Sequence, residues 1–281
     1  MGNVKQILYM TKNTLLEERN NKRVIMGFLL GITLFGYWLN NYMQYVWAAG
    51  EPVNILEALI VVEHHNKTML FLAPGWLLVI SDAPFIKGNT YLTLCRSSRR
   101  KWNIAMLQYI AVQAFCFVAC IAAVSIIASS FWGFSGSLWS SPVYDLAVDI
   151  GSKLGVKYQI TFGWPNIMEN MTVPQAFMIT FLFMYLYFLT LGMLLYICNL
   201  LLKEIYGVLI VFGIQLTGYL LQQEGLTNLS IMAKAIPGYS IDGSGGHWKT
   251  LLLFMGWIVI LTVISLWMIG WVDLKDAVGE E

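Results

Sequence analysis

Few residues in this chain have the type and spacing that chemistry requires. Glu63-His64-His65 is its one cluster of acid and imidazole groups. Adjacent histidines on a helix point about 100° apart, and the His-Glu-x-x-His spacing that aims two imidazoles at one zinc ion is absent. The cluster reads as the solvated polar face of an external loop, and no metal ligand is assigned. His247 stands alone and reads as interfacial. The four cysteines (Cys95, Cys116, Cys120, Cys198) form no Cys-x-x-Cys pair and no disulfide framework. Cys116 and Cys120 share a helix face as small packing residues. No Gly-x-x-x-x-Gly-Lys-Ser/Thr occurs, so this chain is not expected to cradle nucleotide phosphates. No catalytic residue is assigned, and no cofactor within the chain.

Two other groups carry a signal. The polar stretch Asp82 to Trp102 holds five basic residues, Lys87, Arg96, Arg99, Arg100 and Lys101, between two apolar runs. Such a cluster stays in the cytoplasm and attracts anionic lipid headgroups. Its middle, Asn89 to Cys95, fits a short amphipathic helix carrying Tyr91, Leu92 and Leu94. The second group is Gln215, Tyr219 and Gln222, which fall on one helix face at i, i+4 and i+7. Amides are costly against lipid, so that face meets protein or water. One reading is hydrogen bonding between helices. The other is a central passage walled by these three with Met69, Leu72, Trp76 and Val79, mostly apolar and suited to an amphipathic or hydrophobic cargo such as a peptide, lipid or drug.

The elements that position these groups are membrane spans. Of 281 residues, 58% are hydrophobic and 12% charged, with a mean hydropathy of +0.64; a soluble domain carries about 25% charged residues. A formal net charge of +1 gives no field that would gather nucleic acid. Residues 1–23 read as an amphipathic helix lying on the membrane, with Val4, Ile7, Leu8 and Leu15 at helical spacings. The first apolar run, from Val24 to Trp47, is too long for a cleavable signal and lacks a cleavage site, so none is expected. Its Gly27 and Gly31 form a small-xxx-small pair that lets another helix approach. A polar stretch from Gly50 to Lys67 follows. The second span, 68–85, holds Pro74-Gly75 near its centre and is expected to kink. The third covers 103–130, the fourth 173–202, the fifth 205–222 and the sixth 249–272, within a transmembrane domain of residues 24–272.

The connection 131–172 is long and rich in Trp and Tyr, which argues for order. The stretch 223–248 is half apolar and too short to cross. Twelve of the seventeen Lys and Arg fall in the N-terminal segment, the 82–102 loop, the fourth–fifth turn and the tail 273–281. Both termini are therefore expected in the cytoplasm. No Asp, Glu, Lys or Arg lies in the middle of a predicted span, and a proton- or sodium-coupled carrier is hard to run without one.

The ordered set resembles the permease subunits of type-2 ABC exporters across nearly the whole chain. Asp82 ends the second span, Gly88 opens a short helix, and Ser98-Arg99 opens the third span. The proline that often precedes the Ser-Arg pair is replaced by Ser97. The resemblance implies an all-α fold of about six spans, with an N-terminal elbow helix, a cytoplasmic coupling loop at 82–102 and a re-entrant stretch before the last span. It also implies a location in a bacterial plasma membrane. The implied partners are two ABC ATPase subunits carrying ATP and Mg²⁺, and a second permease, either another copy or a homologue. Asp82, Phe85, Gly88, Tyr91, Arg96, Arg99 and Arg100 are then the expected coupling residues. The competing reading is a non-transporting membrane sensor or assembly subunit that binds a ligand or partner through the aromatic external loop. A membrane-embedded enzyme has no legible nucleophile–base pair to support it.

Overall fold

In the computed structural model, residues 3–65, 67–84, 97–149, 152–202, 204–240 and 246–271 are described. The amino-terminal helix α1 (Asn3–Glu18) leads into α2 (Lys22–Ala49). Asn21 caps α2 by accepting the Arg23 N–H, and Gly50, at φ 74°, ends it in the left-handed region that favours glycine. Strand β1 (Val53–Asn54) precedes α3 (Glu57–His64) and α4 (Thr68–Ile80). Then come α5 (Arg99–Ser130), β2 (Gly133–Phe134), and the short helices α6 (Ser141–Val148), α7 (Lys153–Tyr158) and α8 (Pro165–Asn170). The chain closes with α9 (Val173–Leu201), α10 (Glu204–Gln223), α11 (Ile231–Ala235), a 3₁₀ turn (Pro237–Tyr239) and α12 (Gly246–Met268).

Five of these helices, α2, α5, α9, α10 and α12, are long and apolar enough to cross a membrane. The chain is an all-α membrane protein. The span expected over 68–85 is not among them. Its apolar helix α4 has 13 residues, about 20 Å against a hydrocarbon core of about 30 Å. Pro74 sits inside α4 without ending it. α3 ends at His64, and α4 begins at Thr68.

Helix α9 is the axis. Two-thirds (67%) of its apolar window is buried inside the chain, against 22% for α12. Around it, α2 and α4 pack backbone to backbone. A Cβ on Gly75 would stand 2.8 Å from the Gly31 nitrogen and 3.0 Å from the Gly27 carbonyl. The Gly27/Gly31 pair thus receives the second crossing, and Gly75 is its counterpart. Trp76 of α4, Phe117 of α5 and Phe188 of α9 close the centre, with ring centroids 5.4–6.0 Å apart.

The end carrying α1, residues 81–84 and the start of α5 is the near end; the opposite one is the far end. At the near end α1 docks on α5. Thr11 Oγ1 lies 3.2 Å from the Ala105 carbonyl and 3.1 Å from Gln108 Oε1, and Lys101 donates to Gln6 Oε1 at 3.0 Å. Val4 and Leu8 remain exposed. At the far end residues 131–172 are tied down: β2 pairs in parallel with β1, Tyr45 donates to the Pro142 carbonyl, and the Trp139 indole donates to Met171. The stretch after α10 folds back along it. Ser230 donates to the Gly218 carbonyl at 2.7 Å, and Met232, Ala233 and Ala235 are fully buried.

Candidate functional site

The near end gathers polar groups from five helices. Asp82, just past α4, pairs with Arg23 of α2 and accepts the Ser81 hydroxyl at 3.2 Å. The Asn199 carboxamide of α9 donates to two carbonyls there, Ser81 at 3.0 Å and Ala83 at 2.8 Å. One turn earlier, the Tyr196 hydroxyl donates to Asn103 Oδ1 at 2.6 Å, and Asn103 Nδ2 donates to Ser265 of α12 at 2.8 Å. Asn103, Tyr196 and Asn199 are buried. Residues three apart lie on neighbouring faces of a helix. The inner end of α9 therefore grips α5 and α12 with one side chain and the end of α4 with the next. Asn199 Oδ1 has no partner and lies against Gly207 of α10.

Of the expected coupling residues, Asp82, Arg99 and Arg100 fall within this description. Ser98 is the N-cap of α5, accepting the Lys101 N–H at 3.4 Å, and Arg99 and Arg100 follow it exposed. Phe85, Gly88, Tyr91 and Arg96, and the amphipathic helix expected over Asn89 to Cys95, lie outside the described residues.

The expected passage wall takes a different form. Met69, Leu72, Trp76 and Val79 are 0–1% exposed and face the interior of the chain itself. Gln215 is buried with both ends of its amide engaged: it accepts the Tyr187 hydroxyl of α9 and donates to the Met69 carbonyl of α4 at 3.1 Å. That is hydrogen bonding between helices. Gln222, also buried, donates to the Tyr239 hydroxyl at 3.2 Å. Tyr219 is half-buried against the core. Of the wall residues, Gln215 and Met69 meet directly, while Gln222 turns to Tyr239.

The acid–imidazole cluster overturns its reading as a solvated loop. All eight residues of α3 are buried. Glu63 is fully buried and neither carboxyl oxygen has a hydrogen-bond partner. His64 Nδ1 stands 3.3 Å from it but is engaged with the Ile60 carbonyl at 2.6 Å. Nε2 accepts the Gly238 N–H at 3.1 Å, which fixes the neutral tautomer with its proton on Nδ1. His65 stacks on Trp38 with centroids 3.8 Å apart. The chain therefore buries an ionisable pair where none was expected. The signal was the run Ala58-Leu59-Ile60-Val61-Val62 inside the supposedly polar stretch.

At the head of α3, in the far-end layer, three donors converge on Glu57: the Asn54 N–H at 2.9 Å, the Ser140 N–H at 2.7 Å and the Ser140 hydroxyl at 2.6 Å. No family model, curated protein or solved structure matches the chain.

Proposed function

We propose that this chain is the membrane-spanning permease subunit of an ATP-driven ABC exporter of the type-2 class. It works as a dimer, with a second copy or a homologue, on two separate ATPase subunits that bind ATP and Mg²⁺. Its place is a bacterial plasma membrane, with both termini in the cytoplasm. The cargo is amphipathic or hydrophobic, in keeping with the apolar spans.

The observation that carries this reading is the Asn199 grip. The first residues of the basic connection, Ser81 and Ala83, hang from the central helix by two hydrogen bonds. A force applied to that connection therefore reaches α9, and through Tyr196 and Asn103 reaches α5 and α12. An ATPase docked on Arg99, Arg100 and the residues before them would have such a lever at hand. Several exposed charges in one cleft act together even where each is worth little.

The test is purification of the chain from its native membrane, followed by measurement of ATP turnover in what comes with it. An ATPase should co-purify. Reversing the charge of Arg99 and Arg100 together, or replacing Phe85 or Tyr91 with Ala, should weaken its association or its cargo-stimulated hydrolysis. Wild-type association and turnover in the double reversal would overturn the coupling role.

A second reading, a sensor or assembly subunit working through the far end, draws support from the ordered layer built on Glu57, β1 and β2. A purified chain with no ATPase and a far-end protein partner would favour it.

A further inference from the structure

One exposed face runs the whole length of α2. Counting 100° per residue, Met26, Leu30, Thr33, Tyr37, Asn40 and Gln44 lie within about 40° of one line, and all six are exposed. Its character changes along the way. The near half is apolar, with Met26 61% exposed and the Thr33 hydroxyl turned back on the Leu29 carbonyl at 2.8 Å. The far half presents Asn40 and Gln44, whose amides make no hydrogen bond within the described chain. A bare amide on a membrane helix is costly against acyl chains.

The far end of this face meets a shallow, open cavity of about 300 Å³ lined by Gln44, Trp47, Ala48 and Tyr158. It lies where α7 packs along α2. Trp132 meets Trp47 edge to face at 6.1 Å and extends the aromatic wall. On α7 the Lys157 ammonium stands 5.1 Å from the centre of the Tyr158 ring, and it has no acidic partner among the described residues. Glu51, just past α2, and Asp145 and Asp149, around the end of α6, are the acidic groups of this region.

Gln44 stands twenty-two residues along α2 from Lys22, about 33 Å of rise, which sets the cavity at the far face of a bilayer whose core is about 30 Å thick. From there the exposed face descends into hydrocarbon. An unpaired cation, a free amide and two aromatic walls at the boundary, above an apolar helix face, match one kind of molecule. We propose that the far ends of α2 and α7 bind an amphipathic molecule with a single anionic head group. Lys157 and Gln44 take the head, Trp47 and Tyr158 enclose the first carbons, and the chain lies along α2 past Asn40 toward Tyr37 and Thr33. This site does not depend on ATP-driven transport, and its test reads binding alone.

The experiment uses the full chain in phosphatidylcholine nanodiscs with a diazirine-bearing palmitate, its adducts located by mass spectrometry. Adducts should concentrate between Tyr37 and Ala48 and on Tyr158. Lys157→Glu should lower them by about thirtyfold, the effect of two unit charges at a membrane surface, and Trp47→Ala should lower them as well. Labelling of the exposed face of α12 near Trp267 should not change, which also reports that both variants are folded. An alkyl trimethylammonium of equal length with the same diazirine should label this site weakly, and free acetate should not compete. Equal labelling of α2 and α12 would reduce the site to ordinary boundary lipid and overturn the proposal. Equal labelling by the cationic analogue, or no effect of Lys157→Glu, would overturn the anionic head group.

Discussion

Asn199 holds two backbone carbonyls with one amide nitrogen, and its oxygen lies against a glycine. Removing the amide takes a donor from both carbonyls, and a lost hydrogen bond costs about 0.5–1.5 kcal/mol. Asn199→Ala should therefore lower the unfolding temperature in detergent. Gly207→Ala should do nearly the same from the other side, because the added methyl must displace the Asn199 oxygen. The double variant should lose less than the sum, since both changes break one contact; full additivity would show that Gly207 acts elsewhere. Gln215 invites the same treatment. Gln215→Leu strands the buried Tyr187 hydroxyl and takes a second donor from the Met69 carbonyl, at about 1–3 kcal/mol, whereas Tyr219→Leu, at a half-buried position, should cost clearly less. A Tyr219 loss equal to that of Gln215 would argue against the interhelical role. At this scale the sequence showed which side chains do not belong in lipid but not what they meet. Gln215 was legible as a polar residue on a span, and its partners on α4 and α9 were not. Glu63 and His64 misled because a charged dipeptide beside Asn66-Lys67 looks like surface; burial comes from α2, α5 and α9 closing around α3, which no local pattern records.

Among the elements, the first two crossings show how much a small residue can foretell. Gly27 and Gly31 announce a close approach in sequence, and α4 makes it with Gly75. A methyl on Gly75 meets backbone, which cannot swing aside as a side chain does, so Gly75→Ala should force α2 and α4 apart. The loss should be that of an overpacked core, about 1–3 kcal/mol, read by thermal unfolding. Gly213 of α10 and Gly256 of α12 have open space where a Cβ would go. Their Ala variants should be neutral or slightly stabilising, since glycine is a poor helix former by about 1 kcal/mol. Equal damage at all three sites would dissolve the distinction. The long spans were legible to within a few residues, because 18 or more apolar residues leave no other reading. The second crossing was not. Its apolar residues divide at 65–67, and the far part carries Glu57, Glu63 and His64, so composition hid a buried helix inside a polar stretch. The long connection 131–172 was legible as ordered from its aromatics, but its anchors are backbone carbonyls at Pro142, Gly136 and Met171, and side-chain types do not reveal those.

For the molecule as a whole, orientation decides which end meets an ATPase and which meets cargo. On charge counting the near end is the one expected in the cytoplasm: Arg23, Arg99, Arg100 and Lys101 sit at the near ends of α2 and α5, and the far end carries scattered lysines such as Lys153, Lys157 and Lys234. The fold agrees with that division in one respect. The described ties of α1 to α5 through Thr11 and Lys101, and of Asp82 to Arg23, lie at the same end as those arginines. Labelling tests the sign. In a cysteine-free background, Ser97→Cys lies at the near end and half-buried Ser97 precedes the N-cap of α5, while Ser135→Cys lies exposed just after β2. In intact cells an impermeant thiol reagent should modify the cysteine at 135 and leave the one at 97 untouched; after permeabilisation both should react, which separates sidedness from burial. Labelling at 97 before permeabilisation, with none at 135, would invert the molecule in the membrane. The basic connection would then face away from any ATP, and the coupling reading would fall with it, while the cavity beside Lys157 would remain, facing the other leaflet.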